Sequence, residues 1–225
     1  MHHYPLFVDL HQKTCLVVGL GGVGARKVTT LAEFGAGAIR IVDAAQPGGE
    51  AAKLLELPGV SFMQRPFEPN DLDGAFLVFA CTSNPAVNQH IADLCKERGL
   101  LCNVIDCPGA GSFTVPATLT QGDLTVAIST GGHSPALSRR IRQDLERYFG
   151  GRYAHFLTLM GRLRPLVLAL NDATEDNTRL FRSLVASRLI DALEQGDGPL
   201  AREELMSYLP VTLHDKITEC LDGLV

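Results

Sequence analysis

The sequence lacks the features that mark several protein classes. No apolar stretch reaches the roughly 18 residues that a membrane-spanning helix needs. The beginning, MHHYPLFVDL, has no basic region followed by a long apolar one, so no signal peptide is predicted. Acidic residues outnumber basic ones, 25 to 20, and no basic surplus indicates a nucleic-acid binder. We therefore expect a cytoplasmic protein with no membrane or nucleic-acid partner.

Cysteines at metal-binding spacing are absent as well. The six cysteines include no CxxC pair, so neither a structural zinc site nor a disulfide framework is expected. Cys15, Cys81 and Cys102 fall in apolar runs typical of buried strands, where a thiol packs as a small apolar group. With 225 residues, 46% of them hydrophobic and 20% charged, the chain has an ordinary globular composition.

The most informative stretch runs from Thr14 to Asp43 and reads TCLVVGLGGVGARKVTTLAEFGAGAIRIVD. Its hydrophobic pattern predicts a buried strand, a helix and a second strand, over residues 15–18, 23–33 and 39–42. Three glycines separate the first strand from the helix, and the second strand ends on an acid. Elements in this order predict a dinucleotide-binding unit. A purely structural glycine turn is the alternative.

Each residue type in this stretch has a physical reason. Gly19 would make the tight turn, Gly21 would let the backbone approach a pyrophosphate, and Gly24 would let the helix pack closely on the strand. Free N–H groups at the helix start favour an anion. Asp43 lies where a carboxylate accepts hydrogen bonds from a ribose diol and repels a 2′-phosphate, which favours NAD over NADP.

Small polar residues follow another buried strand, AFLVFAC, at positions 75–81. They lie at the carboxyl end of a predicted parallel strand, where open α/β sheets bind ligands. The cofactor-binding residues that we expect are Gly19, Gly21, Gly22, Val23, Gly24, Asp43, Thr82 and Ser83.

Strands and helices alternate up to about Phe113. Further strands are predicted over 59–64 and 101–105, and a helix over 85–99. This alternation predicts an α/β fold with a parallel, Rossmann-type sheet.

The pattern then changes to a hairpin followed by helices. Ser112–Ala117 and Leu124–Ser129 alternate as strands, with Gln121-Gly122-Asp123 as the turn. A second glycine-rich loop, TGGHSP, opens a helix that Ser134 would cap. Helices are then predicted over 153–170, 177–193 and 201–208, with a last one opened by Thr212 and Asp215 in capping-box fashion. So many apolar helix faces suggest that a partner subunit covers some of them.

Several segments together resemble one protein family. They are PLFVDL, VVGLGGVGARK, ACTSNPAVNQHIADLCKERGLLCNVIDCP, SFTVPA and TVAISTGGHSPALSRRIRQDLE. In these segments the chain is similar to the precorrin-2 dehydrogenase family, which includes the amino-terminal half of bacterial siroheme synthase and the yeast bifunctional dehydrogenase–chelatase. The similarity covers nearly the whole chain and is weakest after about Gly196.

The resemblance implies a function and a layout. Family members oxidise precorrin-2 to sirohydrochlorin with NAD, and some also insert iron. They are homodimers with the substrate in a cleft between their parts. Applied to this sequence, which looks like the stand-alone form without a methyltransferase domain, the layout is a Rossmann domain over 1–113, a dimerisation region over 114–150 and a helical domain over 151–225.

Asp106 is the catalytic residue that the resemblance implies. It follows the fifth predicted strand, where a carboxylate could remove the proton that leaves the macrocycle along with the hydride. A loop-capping aspartate is the alternative. The neighbouring Cys107 is either a soft metal ligand or a packing residue. No resident metal site is predicted.

The second glycine-rich loop is the expected substrate contact. Precorrin-2 carries several carboxylates, which suit arginine pairing. Arg139, Arg140 and Arg142 follow the loop, and Arg26 and Lys27 lie on the first helix; a solvated helix face is the alternative for each. The residues that we expect to bind substrate are Ser129, Thr130, Gly131, His133, Ser134 and Arg139.

Three functions follow from these observations. The first is an NAD-dependent dehydrogenase acting on precorrin-2. The second is the same enzyme with added ferrochelatase activity. The third is an NAD-sensing regulatory module, against which Asp106 and the TGGHSP loop argue because a sensor would not require them.

Overall fold

The computed structural model describes residues 3–105, 107–170 and 173–225. The chain divides into two compact units, Met1–Val115 and Pro116–Val225. The three-part division that the resemblance implies is finer than this and stays a prediction. Within the described residues, no helix combines the length and the apolar character needed to cross a membrane.

The first unit is a five-stranded parallel sheet with the strand order β3-β2-β1-β4-β5. Its strands are β1 Thr14–Val18, β2 Ala38–Asp43, β3 Val60–Gln64, β4 Leu77–Ala80 and β5 Leu101–Val104. Its α-helices are α1 Gly22–Glu33, α2 Glu50–Lys53 and α3 Pro85–Glu97. Short 3₁₀ helices cover Leu54–Glu56, Pro69–Leu72 and Pro108–Ala110. The Rossmann-type prediction is confirmed.

The central strand β1 is buried on both faces, and its side chains alternate between two cores. Leu16 and Val18 pack in the core that α3 covers, with Ile91 among its members. Cys15 and Val17 pack in the core on the opposite face, which includes Val28 of α1. The continuous apolar run CLVV therefore reflects a strand covered by helices on both sides.

This strand order places a switch point between β1 and β4. From β1 the chain passes through α1 to β2 on one side, and from β4 it passes through α3 to β5 on the other. All five strands are parallel, so their carboxyl ends lie along one edge. Ligands of open α/β sheets bind outside this edge at the switch point.

The second unit contains a hairpin and a helical bundle. The hairpin pairs β6 Ala117–Gln121 with β7 Leu124–Ile128 in antiparallel fashion. The helices are α4 Pro135–Phe149, α5 Arg152–Leu168, α6 Thr174–Ala186, α7 Leu189–Gln195, α8 Gly198–Tyr208 and α9 Ile217–Leu221. Apolar faces of α5–α9 cover one another in a common core that includes Leu163, Leu184, Leu205 and Ile217. Other apolar side chains of these helices stay exposed, among them Leu168, Val185 and Met206, so the expected cover by a partner subunit stays a prediction.

Two predictions about this region are wrong. The first hairpin strand is 117–121 and not 112–117, because Ser112 and Phe113 bond single groups of β5 without joining a ladder. The Ser112 N–H donates to the Cys102 carbonyl (2.8 Å), and Pro116 has no N–H to donate. The helix predicted over 177–193 is broken at Ser187, whose hydroxyl accepts the N–H of Leu189 (3.2 Å) and so starts α7 as a new helix.

The capping box predicted at Thr212 and Asp215 is also wrong. Residues Val211–Lys216 form a 3₁₀ helix before α9, and in the described structure no side chain caps the amino terminus of this 3₁₀ helix. The Leu213 N–H donates to the Pro210 carbonyl three residues back (2.9 Å), which winds the first turn more tightly than an α-helix.

Candidate dinucleotide site

The glycine turn joins β1 to α1 at the switch point. The Gly19 N–H donates to the Val42 carbonyl of β2 (2.8 Å), and Gly19 has a φ of +94°. A side chain at Gly19 would also lie 2.7 Å from the backbone of Cys81. Position 19 therefore accepts only glycine, for backbone geometry and for space.

The other glycines divide into two kinds. A Cβ on Gly24 would come within 1.9 Å of the Gly19 carbonyl oxygen, so Gly24 provides the close packing of α1 on the turn. A Cβ on Gly21 or Gly22 would meet no described atom within 4 Å. Nothing in the described structure requires glycine at 21 and 22, and open space is what close approach of a ligand to the backbone would need.

The amino terminus of α1 is open to an anion. Among the described residues no side chain caps α1, and its first turn has no acidic residue. Its first N–H groups have no intrahelical acceptor and lie at the positive end of the helix dipole. By contrast, α3 is capped by Asn84, whose side chain accepts the N–H of Ala86 (2.9 Å).

Asp43 ends β2 beside this turn. Its Oδ2 accepts the Leu20 N–H at 2.6 Å, and its Oδ1 accepts the Ala45 N–H at 2.8 Å. Each oxygen keeps a second lone pair for another donor. Asp43 therefore holds the glycine turn and retains the capacity to accept hydrogen bonds from a ribose diol.

Thr82 is held by a buried residue that the sequence analysis did not single out. Asn88 of α3 accepts the Thr82 N–H (3.1 Å) and hydroxyl (2.7 Å) at Oδ1, and donates from Nδ2 to the Thr82 carbonyl (2.9 Å). Asn88 is 4% exposed. Its spacing from Ile91, Ala92 and Cys95 places it on the buried face of α3, which was a usable signal.

These parts line one cavity of about 640 Å³ in the first unit. The predicted cofactor residues on its wall are Gly19, Gly21, Gly22, Val23, Asp43, Thr82 and Ser83. Gly24 instead packs against the turn. The cavity also includes Arg65, Pro66 and Phe67 after β3, which sequence reasoning missed because that segment resembled an ordinary loop.

Comparison of the chain with known protein families and solved structures agrees with this fold and this cavity. A family model described as NAD(P)-binding matches residues 6–117, and one for the central part of sirohaem biosynthesis proteins matches residues 121–148. A solved structure of SirC, a precorrin-2 dehydrogenase, has a TM-score of 0.75 and 25% identity, covering 92% of this chain and 98% of that one.

Curated relatives are siroheme synthases. That of Thioalkalivibrio sulfidiphilus is 33% identical over 95% of this chain and 43% of its own length. That of Citrobacter koseri is 33% identical over 90% of this chain and 44% of its own length. The chain belongs to the siroheme synthase and precorrin-2 dehydrogenase family. It spans less than half the length of these two siroheme synthases.

The glycine-rich loop of this family member lies in the second unit, and Thr130 is its centre. The Thr130 hydroxyl lies 3.0 Å from both the Ser134 carbonyl and the Ser138 hydroxyl. Ser134 caps α4 by accepting the Leu137 N–H (3.2 Å), and Ser129 accepts the Gly131 N–H (3.2 Å). The loop is thus internally hydrogen-bonded, with the side chain of His133 exposed.

The candidate cations differ in how free they are. On α4, Arg140 pairs with Asp144 and Arg142 with Glu146, whereas Arg139 is exposed and has no ion-pair partner among the described residues. On α1, Arg26 donates to the Gly22 carbonyl (3.2 Å).

Lys27 is the half-buried cation of α1. Its Nζ lies 5.8 Å from the centre of the Phe79 ring, and burial lowers its pKa. In the described part of the chain Lys27 has no carboxylate partner.

Asp106, the implied catalytic residue, lies outside the described residues, and Ile105 before it is on the cavity wall. Cys107 is an exposed free thiol. In the part of the chain that the structure describes, no three His, Cys, Asp or Glu side chains lie close enough together to hold a metal ion.

Proposed function

We propose that this chain oxidises precorrin-2 to sirohydrochlorin with NAD. One observation carries the proposal: an open cavity joins the uncapped start of α1 to Asp43, in a chain that matches a precorrin-2 dehydrogenase over 92% of its length. NAD, when bound, would accept a hydride from a ring carbon. The residues must then bind the dinucleotide, orient the macrocycle and take up one proton.

Two features favour NAD over NADP. Asp43 would face the 2′ position of the adenosine ribose and repel a phosphate there. The arginine on the same cavity wall, Arg65, is already paired with Asp71 through two hydrogen bonds of 2.9 and 2.5 Å. Its charge is therefore compensated within the protein and is a poor partner for a 2′-phosphate.

Asp106 is the proposed general base. It follows Ile105 in the chain, and Ile105 lines the cavity in which the nicotinamide would lie. Removing one hydride and one proton from precorrin-2 balances its conversion to sirohydrochlorin. A carboxylate within hydrogen-bond reach of that proton suits the second task.

Arg139 and the loop of residues 129–134 are the proposed substrate contacts. An exposed guanidinium without an ion-pair partner in the described structure can pair with a substrate carboxylate. The loop hydrogen bonds around Thr130 would keep the start of α4 in one conformation, so that Ser134 and Arg139 hold fixed positions on the helix. Lys27 is a further candidate, because a half-buried ammonium group gains from an anionic partner.

A homodimer is part of the proposal. The structure describes every residue of α4, and of these only Ser138 is buried. Leu137 is 50% exposed and Tyr148 is 72% exposed on the same helix. A helix with so little of its surface covered is a candidate for an interface with a second copy.

The test is an anaerobic incubation of the purified protein with precorrin-2 and NAD, followed by absorbance. Appearance of the sirohydrochlorin spectrum, dependent on both protein and NAD, is the expected result. If the protein binds NAD but leaves precorrin-2 unchanged, the proposal is wrong and the nucleotide-sensor alternative is favoured. A parallel reaction with sirohydrochlorin and Fe²⁺, against a protein-free control, tests the ferrochelatase alternative.

A further inference from the structure

One wall of the dinucleotide cavity contains an ion pair, Arg65 with Asp71, that is not part of the glycine motif. Arg65 follows β3 directly and makes a two-pronged contact with Asp71, Nη1 to Oδ2 at 2.9 Å and Nη2 to Oδ1 at 2.5 Å. The Asp71 side chain is 5% exposed and that of Arg65 is 32% exposed. The arginine faces the cavity, and the carboxylate lies behind it.

The protein uses most of the hydrogen-bonding capacity of Arg65. Besides the two bonds to Asp71, Nη1 donates to the Pro66 carbonyl (2.9 Å) and Nη2 donates to the Met63 sulfur (3.5 Å). Four of the five guanidinium N–H groups are therefore engaged. What remains for a ligand is chiefly the flat face of the group.

The buried carboxylate is itself fixed in position. Asp71 Oδ2 also accepts the Glu68 N–H at 2.8 Å, which closes the capping box of the 3₁₀ helix Pro69–Leu72. Burial raises the pKa of Asp71, but the hydrogen bonds from Arg65 and from the Glu68 N–H outweigh burial and hold the pKa below its usual value. Asp71 therefore stays ionised and keeps the guanidinium plane in one orientation.

Strand register places this plane beside the expected adenosine. Asp43 pairs with Gln64 across β2 and β3, so Arg65 comes one residue beyond the partner of Asp43. With a pyrophosphate at the start of α1 and a ribose at Asp43, the adenine extends toward the ends of β2 and β3. Phe67, whose ring meets that of His90 edge-on at 6.4 Å, continues the same wall.

We propose that Arg65 stacks its guanidinium plane on the adenine of the dinucleotide, and that Asp71 is the positioning residue that holds the plane. This inference rests on the proposed dinucleotide site and adds a contact for the adenine. Planar guanidinium groups stack well on aromatic rings, whereas lysine has the charge without the plane.

The test compares wild type, Arg65→Ala, Arg65→Lys and Arg98→Ala. NADH is titrated by fluorescence and ADP-ribose, which lacks the nicotinamide, by calorimetry. Arg65→Ala is expected to weaken both ligands roughly tenfold, and Arg65→Lys to stay nearly as weak. Arg98→Ala is the matched control: it removes a surface ion pair with Asp73 (2.8 Å) in the same unit and should leave both affinities unchanged.

Three results would overturn the inference. Wild-type affinity in Arg65→Ala would exclude the contact. Wild-type affinity for both ligands in Arg65→Lys would show that Arg65 only stabilises the loop through its charge. A lysine beside Asp71 can also perform that role. Weakened NADH binding with unchanged ADP-ribose binding would place the contact away from the adenine. If wild type itself binds no NADH, the proposed dinucleotide site fails, which is a distinguishable result.

Discussion

The carboxylate of Asp43 accepts the backbone N–H of Leu20 at 2.6 Å, across 23 residues of sequence. The end of β2 and the middle of the glycine turn are thereby joined by one charged hydrogen bond. The residue proposed to select the ribose thus also shapes the turn that would hold the pyrophosphate.

Replacing Asp43 separates these two roles. Asp43→Asn keeps an oxygen for the Leu20 N–H but loses the negative charge, so NADPH affinity should rise relative to NADH affinity. Loss of charged hydrogen bonds to the ribose is worth about 1.5–3 kcal/mol, or roughly tenfold to a hundredfold in NADH affinity. Fluorescence titration of both nucleotides checks this, and an unchanged ratio would contradict the assigned role.

Alanine at Gly24 should destabilise the fold, whereas alanine at Gly21 should leave its stability nearly unchanged. Gly24→Ala places a methyl group 1.9 Å from the Gly19 carbonyl and should cost about 3 kcal/mol of unfolding free energy. Gly21→Ala enters open space at a φ of −69°, so stability should change by less than about 0.5 kcal/mol.

The ligand response of Gly21→Ala completes this comparison. If the pyrophosphate approaches the backbone there, NADH affinity should fall by roughly tenfold or more, about 1.4 kcal/mol. Urea unfolding and NADH titration on the same samples measure both quantities. Full NADH affinity in a folded Gly21→Ala protein would show that the nucleotide does not approach this turn.

Much of this site could be predicted because its signals are local. Apolar runs such as CLVV and AFLVFAC mark strands buried on both faces, and the glycines mark the turn between β1 and α1. Asp43 followed from its place at the end of β2. Each of these features depends on neighbours along the chain, so the sequence pattern carried the information.

The missed features depend on contacts between distant segments. Segment 112–116 has the alternation of a strand but pairs with no strand. Phe113 instead accepts a hydrogen bond from the Asn103 side chain of β5, and its ring lies 5.5 Å from that of Phe79. The apolar stripe across 177–193 gave no sign that Ser187 would start a new helix. The pair of Arg65 and Asp71 looked like two ordinary loop charges, because burial of Asp71 is a property of the packed unit.

Asn88 should be a structural support of the cavity wall. Asn88→Leu removes the side chain that pairs with the half-buried N–H and carbonyl of Thr82, at a cost of about 1–3 kcal/mol in unfolding free energy. The exposed neighbour Gln89, which bonds Asp93 at 2.9 Å, is the control: Gln89→Ala should change stability by less than about 0.5 kcal/mol. Urea unfolding measures both variants, and equal effects would contradict the role of Asn88.

Acid should weaken the contribution of Asp71 to the free energy of unfolding. Its folded-state pKa lies below the unfolded value of about 3.9, so the stabilisation is complete above about pH 5 and is lost as pH falls through the folded pKa. Asp71→Asn lacks this dependence. The stability difference between wild type and Asp71→Asn should therefore shrink below about pH 4, as measured by urea unfolding at each pH. A difference that stays constant down to the acid transition would show that the carboxylate is not held ionised by Arg65.

The most direct test of the central claim is the stoichiometry of one anaerobic reaction with precorrin-2 and NAD. Following NADH and sirohydrochlorin together should show one NADH formed for each sirohydrochlorin, in wild type but not in Asp106→Ala. The same Asp106→Ala protein should still bind NADH, which shows that the cavity remains intact. Sirohydrochlorin without matching NADH, or undiminished turnover in Asp106→Ala, would contradict the account.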